Sequence, residues 1–522
     1  MPESLRPLRS TLARTLPLLV AAALVGLVGL TPPALAEQLN PPVQRLIQSA
    51  DLRGTQVAIL IRDLDERDTL VDLDGHRTLI PASNAKVPTA LAALDILGHD
   101  FVFQTRLGIT PPPADGSEYA PSLVITADGD PGFGDPDLLA QHGLQIDDLL
   151  DQWVAAAQAS GQTRFQSLLL DDRIFDAQTT HPDWEPNDLL RPFGAQVAGL
   201  NFYRNILDVL PVPSAQFGAA PRVSVYPSSP LIHTQNRART AASDNFIVHR
   251  ELGTNNLRFS GTVKSRQRTP LRLTVHDPGM HFAHVFAERL KAQGIAVGPV
   301  DRVDPLQPAP ATLDLHVVRT GLPNVLQRVN QDSFNLAASA LFKRMGHAFT
   351  GSPGSWANGQ AAVRQALAQR LGSASTAARV TDGSGLARSN QLSPRVLVDL
   401  LESAHHDDDV AQPFLASLAY AGTNSQGTYK ADGTLIGRFE DMPDGHWVFA
   451  KSGFLSGVSS LSGYLIQDPP NQQHLPPRVT AFAFIYNGFR PPVYNSKLKT
   501  LTEDILMLVD QHLAQNNAQL GG

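Results

Sequence analysis

Three short runs in this chain carry residue types that could do covalent chemistry together. The first is Ser83-Asn84-Ala85-Lys86, a serine with a lysine three positions on. In a helix, positions three apart share a face, so the lysine amine would lie near the serine hydroxyl. A serine hydroxyl is inert at neutral pH until a neighbouring base takes its proton. A lysine can be that base once desolvation or a second cation lowers its pKa. A helix N-terminus would also offer backbone N–H groups to a developing oxyanion. Alone the pair is weak, because a capping serine beside a solvated lysine has the same spacing.

The second run is Ser333-Phe334-Asn335, a hydroxyl and an amide two residues apart inside a segment, 322–345, that reads as helical. The third is Lys451-Ser452-Gly453, which follows a strand-like Trp447–Ala450 and precedes another apolar strand. Here Lys451 would add positive charge and Ser452 could bind a carboxylate. Gly453 would let substrate backbone pack against the strand edge. The chain has only eight lysines. Two of them stand in these runs, and chance is a poor account of three such runs in this order.

These residues need elements to hold them. Residues 40–50 read as a helix, and Thr55–Ile61 with Thr69–Leu73 as a hairpin around a polar turn. Asn84–Leu97 has apolar residues at helical spacing, with Pro88 in its first turn where a missing N–H costs little. The stretch 110–272 is rich in Pro and Gly, with short strands at Ser122–Thr126, Ser167–Leu170 and Arg222–Tyr226. Helices are expected at 278–293, 322–345, 358–371 and 394–404, then strands at Trp447–Ala450, Val458–Ile466 and Thr480–Tyr486, and a last helix near 494–514. A hairpin at one end and three strands at the other suggest one antiparallel sheet built from both ends of the chain.

The first 36 residues read as an address. Three arginines precede an apolar run, Leu16–Leu30, and Ala34-Leu35-Ala36 supplies small residues for cleavage before Glu37. That is a secretory signal pattern, and the run is short for a membrane span. No cysteine follows it, so a lipid-anchored cysteine is excluded. The expected location is periplasmic or otherwise extracytoplasmic, with no stable membrane span after cleavage. The 522 residues are 42% hydrophobic and 17% charged, an ordinary globular composition. The net charge of −7 gives no electrostatic case for nucleic acid. Zero cysteines exclude disulfides, thiolate catalysis and cysteine-ligated metals.

With S-x-x-K, S-x-N and K-[ST]-G in order, the sequence resembles the penicillin-recognising serine enzymes. More narrowly it resembles the D-alanyl-D-alanine carboxypeptidase/endopeptidases, the class C low-molecular-mass penicillin-binding proteins. Further similarities include Gly129-Asp130-Pro131, the stretch from Asp171 and Phe175 through Trp184 to Gly194-Ala195, Asp382-Gly383-Ser384-Gly385-Leu386, and Asp432-Gly433-Thr434-Leu435 with Arg438. The third run has Ser452 where the family usually has threonine, and Phe454 stands where a small polar residue is usual.

The resemblance implies an α+β fold: a β-lactamase/transpeptidase-like domain, an antiparallel sheet flanked by helices, from 37–108 and 273–522. One or two small β-rich domains, 109–272, would be inserted. It implies Ser83 as nucleophile and Lys86 as its base, with Ser333 and Lys451 passing a proton to the leaving amine. Asn335 would hold the substrate amide and Ser452 the terminal carboxylate, beside Gly453. The N–H groups of Ser83 and Phe454 would form the oxyanion hole. Substrates would be peptidoglycan stem peptides, β-lactams would acylate Ser83, and no metal or organic cofactor is implied. A secreted β-lactamase shares the three motifs but is normally much shorter, and a non-catalytic peptidoglycan-binding relative should have lost one of them. His405-His406-Asp407-Asp408-Asp409 reads as a solvated helix end rather than a metal site. Asp63, Asp65 and Asp68 lack the glycine of a calcium loop.

Overall fold

The computed structural model describes residues 39–112, 114, 119–468 and 477–520; the expected signal segment, 1–36, lies outside the described residues. Among those described, no helix is long and apolar enough to cross a membrane.

The expected sheet from both chain ends is present. Its seven strands run in the order Tyr429–Ala431, Ala419–Thr423, His446–Leu455, Val458–Gln467, Arg478–Asn487, Gln56–Asp63, Thr69–Leu73. Every neighbouring pair is antiparallel. Val458–Gln467 is buried at every residue, which follows from having both faces covered. On one face the C-terminal helix, Asn495–Leu520, packs Leu498, Ile505 and Val509 against Val448, Phe482 and Phe484. On the other face lie the helices Lys86–Leu97, Asn335–Thr350 and Pro394–His405, with Leu91, Leu341 and Leu400 in one core with Phe449, Ala483 and Ile485.

One expectation changes. The single helix over 322–345 is two, Leu322–Asn330 and Asn335–Thr350. Apolar residues keep helical spacing across the break, so periodicity alone conceals it. Arg328 sits at the end of the first helix, where it pairs with Asp135 and Asp332 and its carbonyl accepts from Phe334 N–H. Ser333 then turns the chain in the left-handed region, φ +58°.

A second sheet is mixed, in the order Val300–Arg302, Leu168–Asp171, Leu123–Thr126, Val102–Ile109, Leu313–Gly321. Its core holds Leu107, Phe133 and Trp153 together with Phe282 and Phe286 of the helix Pro278–Ala292. It therefore draws residues from both sides of 109–272. Among the described residues four smaller sheets, two of three strands and two of two, complete this region, one of them containing Arg222–Tyr226. Between Asp171 and Gly199 the chain leaves the second sheet and crosses to the helices beside the first. There Asp176 pairs with Lys343, and Trp356 Nε1–H donates to the carbonyls of Gln178 and Thr180.

Candidate active site

Ser83 lies in a 3-10 turn, Ala82–Ala85, immediately before the helix Lys86–Leu97. The turn is held from below. Asn84, fully buried, donates through Nδ2 to Ser460 Oγ at 2.6 Å and accepts from Ser462 Oγ. Ser460 Oγ in turn donates to the Pro81 carbonyl at 2.6 Å. Both serines belong to the central strand Val458–Gln467, so the Ser83 turn is fastened to the middle of the sheet. Ala82 takes a positive φ of 48° within this turn, a conformation that packing must hold in place for a residue with a Cβ.

Lys86 is completely buried. Its Nζ donates to Ser83 Oγ at 2.9 Å, to Asn335 Oδ1 at 2.7 Å and to the Ser384 carbonyl at 2.6 Å. Burial lowers its pKa to about 7, against an opposing push from Asp382. The amine is thus neutral in a large fraction of molecules near neutral pH. Charged, the amine donates to all three acceptors; neutral, it keeps two N–H bonds, for Asn335 Oδ1 and the Ser384 carbonyl, and a lone pair that can face the Ser83 hydroxyl.

Asn335 begins the helix after the break, and its Nδ2 donates to the Phe193 carbonyl at 3.0 Å. Ser333 stands in the break itself, half-buried. Lys451, from the strand His446–Leu455, is also fully buried and donates to the Ser452 carbonyl at 2.7 Å. Burial, then the charge of Lys86, push its pKa well below the ordinary lysine value, with Asp332 opposing.

Strand alternation separates the rest of the third motif. Lys451 and Gly453 face the Ser83 turn. A Cβ on Gly453 would lie 2.3 Å from Ser460 Oγ and 3.0 Å from both the Pro81 carbonyl oxygen and the Ser83 backbone nitrogen. Glycine is needed here for the close approach of strand to turn, a reason additional to a substrate at the strand edge. Ser452 and Phe454 take the other face, shared with Val448 and Ala450. They line a cavity of about 320 Å³ with Thr434, Arg438 and Lys499. The Phe454 ring is 58% exposed.

The sequence reading missed several partners. Nothing in the S-x-x-K spacing marks Asn84 as the residue that fastens the turn to the sheet. Asp382 is fully buried and accepts from Trp184 Nε1, Asn390 Nδ2, the Ser384 hydroxyl and the backbone N–H groups of Ser384, Gly385 and Ala387. Its Asp-Gly-Ser-Gly-Leu run was noticed, but not as the loop that places an acceptor on Lys86. The rejected metal candidates have other occupations. Asp63 pairs with Arg478 and caps Asp65 and Glu66, and Asp407 pairs with Arg370. Among the described residues no cluster of three or more His, Asp or Glu could hold a metal ion.

A half-buried serine beside a buried lysine, a helix-start asparagine and a lysine strand on an α+β frame are the features of a penicillin-recognising serine enzyme. The D-Ala-D-Ala carboxypeptidase 3 (S13) family matches residues 39–511; the chain belongs to this family and is a serine-type carboxypeptidase. A D-alanyl-D-alanine carboxypeptidase from Actinomadura sp. (strain R39) is 30% identical over 94% of this chain and 90% of its own length. The D-alanyl-D-alanine carboxypeptidase DacB of Haemophilus influenzae is 24% identical over 85% and 88%. Among solved structures, penicillin binding protein 4 (dacB) from Haemophilus influenzae matches with a TM-score of 0.71 at 23% identity, covering 90% of this chain and 99% of that one. The same protein complexed with a β-lactam matches with a TM-score of 0.66 at 22% identity and the same coverage. These two likenesses show the fold.

Proposed function

We propose that the protein is a DD-peptidase of the cell wall that cleaves D-Ala-D-Ala ends, or D-amino-acid cross-links, of peptidoglycan stem peptides through an acyl-enzyme on Ser83. The observation that carries this reading is the 2.9 Å contact between Ser83 Oγ and the Nζ of a fully buried Lys86. Neutral Lys86 takes the Ser83 proton as Oγ attacks the scissile carbonyl, a general-base step worth roughly 10²–10⁴-fold. The N–H groups of Ser83 and Phe454 receive the oxyanion; the side-chain-free approach of Gly453 to the Ser83 nitrogen supports that role for the turn.

Lys86 then returns a proton by way of Ser333 to the leaving amine, while Asn335 holds the substrate amide. Lys451 sits where burial disfavours its charge, so an incoming carboxylate would restore it. The Ser452 side chain lines the cavity on the opposite face of the strand, so a carboxylate would have to meet its hydroxyl round the free strand edge. Water completes hydrolysis. β-Lactams, whose strained amide resembles the scissile bond, would acylate the same serine. A DacB-named relative and a signal-like leader support an extracytoplasmic location. The sheet memberships support an inserted unit running from about 102 to 321 rather than 109 to 272.

Purified protein incubated with muropeptides and read by mass spectrometry tests the reading. Loss of one D-Ala identifies carboxypeptidase action, and conversion of dimers to monomers identifies endopeptidase action. Unchanged muropeptides would overturn the proposal.

A further inference from the structure

Lys86 Nζ has three hydrogen-bond acceptors, and two of them are held by the same distant piece of chain. One is Asn335 Oδ1, whose amide also donates to the Phe193 carbonyl. The other is the Ser384 carbonyl, in a loop gathered around Asp382, which accepts from Trp184 Nε1 at 2.8 Å. Phe193 and Trp184 both belong to the excursion between Asp171 and Gly199, which departs from and returns to the second sheet.

The loop around Asp382 is built to hold one shape. Four further donors, three of them backbone N–H groups, converge on its carboxylate at 2.8–3.1 Å together with Asn390 Nδ2 at 3.0 Å. Gly383 and Gly385 adopt positive φ, 71° and 85°, and a Cβ on Gly385 would overlap the Ala82 carbonyl oxygen at 1.9 Å. The loop thus abuts the residue before the nucleophile. Trp184 is buried at the edge of this arrangement, its ring 5.5 Å from that of Trp356, which itself donates to the Gln178 and Thr180 carbonyls. Outside the loop, Trp184 and Asn390 supply the side-chain donors to Asp382.

From this geometry we infer that Asp382 and Trp184 are positioning residues for the general base: the excursion braces the Ser384 carbonyl and Asn335 against Lys86, so the inserted unit sets the reactivity of the nucleophile. The inference rests on the reading of Lys86 as the base. It assigns the insertion a part in acylation itself, in addition to any contact with substrate. Asp382 also supplies the negative charge nearest the amine, opposing the desolvation that keeps it neutral. The other ionisable group coupled to Lys86 is Lys451, from the sheet, which burial and then Lys86 push toward neutrality while Asp332 opposes them. On the far side, Asp382 faces His181, which burial keeps below its ordinary value, with Arg379 beyond it.

Two variants of the full-length protein test this, with the acylation rate by a fluorescent penicillin as the readout. Trp184→Phe removes the indole donor and keeps an aromatic ring against Trp356. The expected result is a fall of about three- to tenfold in the acylation rate constant, with the apparent binding constant for penicillin unchanged. Asp382→Asn keeps the side-chain size and removes the charge that opposes Lys86 neutrality, at the cost of setting an amide NH2 against donors on one edge. In a folded variant the acid limb of the rate profile should move to lower pH. A wild-type protein that penicillin never labels would overturn the base assignment. Normal wild-type labelling with Trp184→Phe acylating at the wild-type rate would overturn the bracing role alone. So would an acid limb that stays in place for a folded Asp382→Asn. Should Asp382→Asn not fold, the Trp184→Phe rate decides.

Discussion

A Cβ placed on Gly453 would stand 3.0 Å from the backbone nitrogen of Ser83, so the Lys451 strand and the Ser83 turn meet with no room for a side chain. The contact ties the third motif to the first through backbone rather than through charge.

Gly453→Ala should therefore be damaging at the chemical step. Overpacking of this kind costs about 1–3 kcal/mol, relieved by pushing the Pro81–Ser83 backbone away from the strand. Stopped-flow acylation by penicillin should slow on the order of ten- to a hundredfold. An unchanged rate would mean the turn has slack that the packing denies.

Acylation should also depend on pH with a definite sign. Lys86 accepts a proton only when neutral, and burial sets its pKa at about 7. The rate should rise as pH rises through about 7 and level off above it. Lys86→Arg keeps the charge at all accessible pH values and cannot act as base, so acylation should fall by roughly 10²–10⁴. A flat wild-type profile from pH 6 to 8 would count against lysine as the base.

Ser452 carries the departure from the usual threonine. If its hydroxyl binds the substrate carboxylate, Ser452→Thr should retain activity and Ser452→Ala should lose it. A hydrogen bond to a charged group is worth about 1.5–3 kcal/mol, or on the order of ten- to a hundredfold in kcat/KM. The comparison that decides is a substrate with an amidated C-terminus. An equal loss there would remove the carboxylate from the explanation.

Asn84 should matter for stability as well as for rate. Asn84→Ala leaves Ser460 and Ser462 without their buried partner, which costs about 1–3 kcal/mol of unfolding free energy. Urea unfolding would measure it, and a variant as stable as wild type would show that the turn is held by other contacts.

What could be read from the sequence was whatever is local. Ser83 and Lys86 are three residues apart, so their contact follows from helix geometry, and the order of the three motifs was visible without a structure. The alternation of the hairpin and of the three late strands also foretold one sheet from both chain ends. The break at Ser333 was hidden because Val325, Val329, Leu336 and Leu341 keep their apolar spacing across it. Asp382 and Trp184 are 198 residues apart, and no local pattern announces their hydrogen bond. The 109–272 boundary followed a shift in Pro and Gly content. Strand pairing is a different property, and Val102–Ile109 pairs with Leu313–Gly321 across 200 residues that composition cannot align.

The central claim is that Ser83, activated by Lys86, forms the acyl-enzyme. The measurement that tests it most directly is intact-mass analysis after penicillin treatment, followed by peptide mapping, on wild type and on Ser83→Ala. The account predicts one adduct on the wild-type peptide containing Ser83 and none on the variant, with both proteins unfolding at similar urea concentrations. An adduct on any other serine, or undiminished labelling of folded Ser83→Ala, would contradict it.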